Sequence, residues 1–145
     1  MGKLDGRVAV VTGSTSGIGE GVAETLAREG ASVVVSGRRA ERGEAVVRRI
    51  VDAGGRAVFH EADLADAAQC RPLVDRAADE FGALDILVNS AGIFPVITFE
   101  ETIVEDWDRV FALNARAAYF CAQAALPHMR SRGGGSITNI GSTHP

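Results

Sequence analysis

The segment TGSTSGIG, Thr12 to Gly19, joins a continuous apolar run to a helical pattern, and its reading decides the fold. The run before it, RVAVVT from Arg7 to Thr12, is apolar at successive rather than alternate positions, as in a strand buried on both faces. The pattern after it places Ile18, Val22 and Leu26 at helical spacing, and Gly30 stands where a helix-ending glycine belongs. A glycine-rich turn from a buried strand into a helix can be a plain Gly/Ser connection, but at the first strand-to-helix turn of an alternating chain it points to phosphate. Gly13 permits the tight turn, Gly17 lets backbone approach a pyrophosphate, and Gly19 lets the helix pack close to the strand. The helix start then offers free N–H groups and a partial positive charge to an anion. Gly13, Ser14, Ser16, Gly17, Ile18 and Gly19 are therefore candidate cofactor contacts. The spacing differs from G-x-G-x-x-G, and no Gly-Lys-Ser/Thr follows, which argues against an ATPase phosphate loop.

Outward from this turn the alternation continues. Ala31 to Ser36 reads as a second strand. Val46, Val47, Ile50 and Val51 form the stripe of a second helix, ended at Gly54-Gly55. Ala57 to Phe59 centres a third strand, and Cys70, Leu73, Val74, Ala77 and Phe81 form a helical stripe closing at Gly82. Leu84 to Val88 is a fourth strand, followed by a loop with Pro95. A long helical pattern then runs from about Val104 to Arg130, with Trp107, Phe111, Phe120 and Ala124 among its apolar positions. After Gly133-Gly134-Gly135, Ser136 to Ile140 reads as a fifth strand. Strands alternating with helices imply right-handed crossovers. The expected fold class is α/β: a doubly wound parallel sheet in a Rossmann-like three-layer sandwich, stopping after the fifth strand, with residues 1–145 as one domain.

The chain has 145 residues, 15 basic and 19 acidic, for a formal net charge of −4. That balance gives no reason to expect nucleic acid or an anionic membrane as partner. No basic-then-apolar leader opens the chain and no apolar stretch reaches membrane-spanning length, so a soluble, cytoplasmic protein is expected. Cys70 and Cys121, in no metal spacing, read as buried, reduced thiols. His60, His128 and His144 likewise share no metal spacing.

The end of the second strand selects between nicotinamide cofactors. A carboxylate there would hydrogen-bond a ribose 2′-hydroxyl and favour NAD(H). The stretch is instead Ser36-Gly37-Arg38-Arg39. Arg38 suits a 2′-phosphate through its bidentate fork, so NADP(H) is expected over NAD(H).

With these segments in order, the chain resembles the short-chain dehydrogenase/reductases from end to end. Thr12 to Gly19 is similar to that family's T-G-x-x-x-G-x-G pattern, and Asp63-Leu64 to its adenine-contacting pair. Asn89-Ser90-Ala91-Gly92 resembles its N-N-A-G, departing at Ser90, which adds Asn89, Ala91 and Gly92 to the candidate cofactor residues. Asn114 matches the active-site asparagine, suited to holding a relay water, and Asn139 to Ser142 the segment whose serine, here Ser142, is catalytic. Plainer roles stay open beside these. Asp63 or Asp66 can cap the next helix, Asn89 can tie neighbouring strands, and Asn114 can bond nearby backbone.

The resemblance implies hydride transfer between nicotinamide and a small-molecule carbonyl or alcohol (a ketone or 3-oxoacyl-like compound), and a homodimer or homotetramer for a complete chain. The family's proton-transfer pair, Y-x-x-x-K, lies on the helix after strand five. The only tyrosine here is Tyr119, with Gln123 four residues on, and the only lysine is Lys3. A free tyrosine titrates near pKa ~10 and needs a neighbouring cation to serve at neutral pH. We therefore expect these residues alone to be inactive, and a fifth strand left as an apolar edge to make them marginally stable. The alternative is a non-catalytic dinucleotide-binding fragment or partner subunit.

Overall fold

A computed structural model describes residues 2–142. Ser142 falls within this range, and His144 lies outside it. Five parallel strands, β1 (Val8–Val11), β2 (Ser32–Gly37), β3 (Arg56–Glu61), β4 (Ile86–Asn89) and β5 (Ser136–Asn139), stand in the order β3-β2-β1-β4-β5. The order reverses between β2 and β4, on either side of β1, so the crevice at the carboxyl ends of the strands opens there. The register sets Val11 beside Val35 on one side and Val88 on the other, and Asn89 beside Asn139.

Helices α1 (Gly17–Arg28) and α2 (Ala40–Asp52) cover one face; α3 (Cys70–Phe81) and α5 (Ala117–Ser131) cover the other. Successive strand residues serve opposite cores. Ala9, Val11, Val33 and Val35 pack with Ala23, Ala27, Val46 and Ile50, while Val8, Val10, Val34 and Leu87 pack with Leu73, Val74, Ala77, Cys121 and Ala124. Both layers thus need apolar side chains at every position of the central strands, which explains the uninterrupted run before Thr12.

The α3 stripe is buried where its spacing places it, and Gly82 closes the helix with φ 81°. In α1 the stripe holds in part: Val22 and Leu26 pack partly buried against the core. Gly19, Ala23 and Ala27 face the sheet, whereas Ile18 is 67% exposed. Small residues let this helix approach β1 closely, and apolarity alone does not mark them. In α2, Val46 and Ile50 are buried with Gly43, and Val51 is exposed.

The expected single helix from Val104 to Arg130 is instead three pieces. α4 (Val104–Phe111) passes through a π turn (Ala112–Arg116) into α5. Trp107 and Phe111 stack at 4.4 Å between ring centroids and are exposed together with Phe120, while Ala124 is buried. Cys70 and Cys121 are both buried and free. They meet between α3 and α5 in a thiol–thiol hydrogen bond which, with burial, pushes the Cys121 thiol far up. The residues of β5 are exposed, and among the described residues this strand pairs only with β4.

Candidate functional site

The turn after β1 is held from within. Thr12 ends the apolar run with a hydroxyl that cannot reach water at 1% exposure, and it accepts the N–H groups of Ser90 and Ala91, each at 3.0 Å. This draws the loop after β4 against the loop after β1. Gly13 then turns at φ 59°, and a Cβ there would lie 2.7 Å from Ala91 Cα. At Gly19 a Cβ would lie 2.3 Å from the Gly13 carbonyl oxygen. Both glycines are therefore required by close backbone contact. Gly17 has φ 58° with open space around it, so its conformation is the constraint.

A cleft of about 270 Å³ runs along the carboxyl ends of β1, β2, β3 and β4. Of the expected residues, Gly13, Ser16, Ile18, Gly19, Arg38, Asp63, Leu64, Ala91 and Gly92 line it. Ser16 caps α1 without a side-chain bond, which leaves the first turn's N–H groups facing outward. The exposure of Ile18 has its reason here, since the side chain forms a wall of this cleft.

Three expected residues are absent from the wall: Gly17, whose part is the positive-φ turn described above, and Ser14 and Asn89, which take other positions. Ser14 is buried and does not line the cleft. Its hydroxyl donates to the Val11 carbonyl at 2.6 Å and accepts the Ser36 N–H at 2.9 Å, tying the loop to β2. Thr15 lines the cleft in its stead. Asn89 is buried behind the cleft, where its amide donates to Asn139 Oδ1 at 2.9 Å and to the Ala118 carbonyl at 3.4 Å. The strand-tying role is the one its contacts perform.

Asp63 and Asp66 divide their alternatives. Asp66 caps the short 3₁₀ turn Ala67–Gln69, accepting the Ala68 N–H at 3.0 Å, and that bond together with Gln69 holds its carboxyl below the usual range. Asp63 accepts the Ala65 N–H at 3.1 Å while its own N–H donates to Gln69 Oε1, so its carboxylate is fixed at the cleft wall by a local turn.

A second, wider cleft of about 800 Å³ adjoins the first through Ile18 and Ser90 to Ile93. Asn114 and Ser142 both line it, with Phe94 and Ile140. The fold thus brings together two candidate catalytic residues 28 positions apart in sequence. Asn114 sits in the π turn. Its Oδ1 accepts the Ile93 N–H and its Nδ2 donates to the Ile93 carbonyl, both at 2.8 Å. That two-point grip is the plainer backbone-bonding role that stood open for Asn114, and it leaves a second N–H and a second lone pair of the carboxamide uncommitted to Ile93.

Sequence reading missed Thr12, Thr15 and Ser36. Ser36 lines the first cleft at 1% exposure, and its buried hydroxyl has no hydrogen-bond partner among the described residues. A polar residue closing a fully apolar strand is the signal that both Thr12 and Ser36 gave.

A family model described as short chain dehydrogenase matches residues 7–144. The chain belongs to the short-chain dehydrogenase family. It is 41% identical over 143 residues to the D-beta-hydroxybutyrate dehydrogenase of Cupriavidus necator, a match covering 97% of this chain and 55% of that protein. Among solved structures it is similar to a short chain dehydrogenase from Burkholderia cenocepacia in complex with NADP, with TM-score 0.90 and 41% identity over 97% of this chain and 57% of that one. It is also similar to a 7 alpha-hydroxysteroid dehydrogenase complexed with NADH and 7-oxo glycochenodeoxycholic acid, with TM-score 0.92 and 37% identity over 96% and 54%. The chain spans a little over half the length of the curated relatives it matches. In this short-chain dehydrogenase, no helix among the described residues is long and apolar enough to cross a membrane. No group of three or more His, Cys, Asp or Glu among them is placed to hold a metal.

Proposed function

We propose that this chain is the cofactor-binding part of an NADP(H)-dependent oxidoreductase acting on a small-molecule carbonyl or alcohol. The observation that carries the reading is the cleft along four strand ends, bare glycine backbone at one point and a guanidinium, Arg38, at another. The residues present fit a dinucleotide. The orphaned Ser36 hydroxyl is a buried polar atom that lacks only a partner. Gly13 keeps the turn open where a side chain would collide with Ala91, and the uncapped start of α1 offers N–H groups to phosphate. Similar proteins bind NADP in one structure and NADH in another, so family likeness supports a nicotinamide dinucleotide without choosing between them. Arg38, with no carboxylate from Ser36 to Arg39, supports NADP(H).

Asp63 and Leu64 would border the adenine, Arg38 the 2′-phosphate, and Gly92 with Ile93 the nicotinamide end. The chemistry that a bound nicotinamide supplies is hydride transfer at carbon. Ser142 holds a hydroxyl in the second cleft, where it can hydrogen-bond a substrate oxygen, and Asn114 fixes the Ile93 wall beside it. Family likeness also supports a cytoplasmic homo-oligomer. Titration with NADPH and NADH, followed by nicotinamide fluorescence, tests the reading. Tighter NADPH binding is expected. Tighter NADH binding overturns the cofactor preference, and binding of neither overturns the function. In the full-length protein, Ser142→Ala should lower carbonyl-dependent NADPH oxidation by about 100-fold, the order lost with one oxyanion-stabilising donor.

A further inference from the structure

The π turn reaches both clefts at once. Leu113 lines the first cleft beside Asp63 and Leu64; Asn114 lines the second and grips Ile93. Residues two apart on a helix point to nearly opposite sides. Arg116 accordingly faces away from Asn114, and its Nη2 donates to the Ala65 carbonyl at 2.6 Å. Ala65 belongs to a loop already braced within itself. Its own N–H bonds the Asp63 carboxylate, the Asp66 N–H donates to the Asp63 carbonyl at 3.1 Å, and Gln69 bonds both Asp63 and Asp66. The loop is therefore a stiff unit, and Arg116 is a side-chain tie from the π turn to it. The charge of Arg116 also contributes to keeping Asp66 ionised, behind the Ala68 and Gln69 bonds.

Resting on the dinucleotide reading above, we propose that Arg116 is a positioning residue for adenine recognition: by holding the Ala65 carbonyl it sets Asp63 and Leu64 at the correct height over the first cleft. Arg116 touches no part of that cleft itself, since it is absent from the wall, so any effect on binding acts through the loop. The ligand half it governs is the adenosine half. The nicotinamide half is bordered by Gly92 and Ile93, and Asn114 holds Ile93 through bonds that do not involve Arg116.

The test uses the full-length protein and two half-ligands, ADP-ribose and reduced nicotinamide mononucleotide, measured by calorimetry. Arg116→Ala should weaken ADP-ribose about 5-fold, the scale of one charge-assisted bond at an exposed site, and leave the mononucleotide unchanged. Arg116→Lys, which retains a donor of similar reach, should recover part of the loss. Equal weakening of both half-ligands, or no change in either, overturns the proposal. Arg38→Ala is measured alongside with 2′,5′-ADP. If it weakens binding while Arg116→Ala does not, the dinucleotide reading stands and the role of Arg116 falls. If the unmodified protein binds no adenine ligand, both fall.

Discussion

Asn89 and Asn139 face each other across β4 and β5, and the amide of the first donates to the carbonyl oxygen of the second at 2.9 Å. The pair stands immediately before two chain segments that diverge to line the second cleft, Ser90 to Phe94 and Ile140 to Ser142. Asn89→Ala would leave the Asn139 oxygen without this donor and remove the tie to Ala118. A loss of about 0.5–1.5 kcal/mol is expected, the net worth of a hydrogen bond whose remaining partner, here on exposed β5, can turn to water. Urea denaturation of the variant beside the parent measures it.

Gly13 and Gly21 make a matched contrast. At Gly13 a methyl group meets Ala91 backbone at 2.7 Å from a left-handed φ, whereas at Gly21, inside α1, it meets nothing. Gly13→Ala should cost more than ~2 kcal/mol, combining strained backbone with a clash that neither loop can relieve. Gly21→Ala should stabilise by about 0.5–1 kcal/mol, because alanine is the better helix former. Thermal melts of the two variants should move in opposite directions.

Arg38 should discriminate between cofactors. Arg38→Ala is expected to weaken NADPH about tenfold and NADH by less than about twofold, since only the former carries the phosphate that a guanidinium would meet. Equal losses for both would assign Arg38 a general electrostatic role.

Asp85 gives a pH dependence. It is 3% exposed and accepts from the Val8 N–H at 2.9 Å, from Arg7 at 3.0 Å and from Arg132 at 3.1 Å. Burial pushes its carboxyl up, but the Val8 bond and the two guanidiniums outweigh that and hold it below the usual range. A depressed native value means stability that is fully present above the unfolded value of ~3.9 and lost as pH falls through the native one. Asp85→Asn should therefore cost about 2–3 kcal/mol at pH 7, discounted for the half-exposed arginines. The difference from the parent should shrink below about pH 4. A gap that stays constant to pH 3 would contradict the assignment.

How far the sequence could be read depended on what each position had to do. α3 was legible residue by residue, because its buried face is made of large apolar side chains from Cys70 to Phe81 and its end is a glycine with positive φ. The inward face of α1 was not, because contact there is made by Gly19, Ala23 and Ala27, which carry little apolar signal. The π turn was hidden for a related reason: one extra residue scarcely disturbs a hydrophobic period. In the site, glycine spacing located the loop, yet it could not tell that Ser14 points inward while Thr15 lines the cleft. Nor could spacing show that Cys70 and Cys121 meet, since only the packing of α3 on α5 brings them together.

The π turn also governs which changes this stretch tolerates over evolutionary time. Ala115 lies inside it and is exposed, so many side chains would suit the position. Its removal is another matter. Losing one residue from Ala112–Arg116 would restore regular winding, because the π turn takes up one extra residue while the helix after it keeps its facing. Ala117, Cys121, Ala124 and Met129 would still face α3 and the sheet, but Asn114 and Arg116 would lose their opposed placement, and the grips on Ile93 and Ala65 could not both persist. Substitution is open at Ala115 while deletion is closed, so the two grips depend on the number of residues in the turn and not on the side chain at this position.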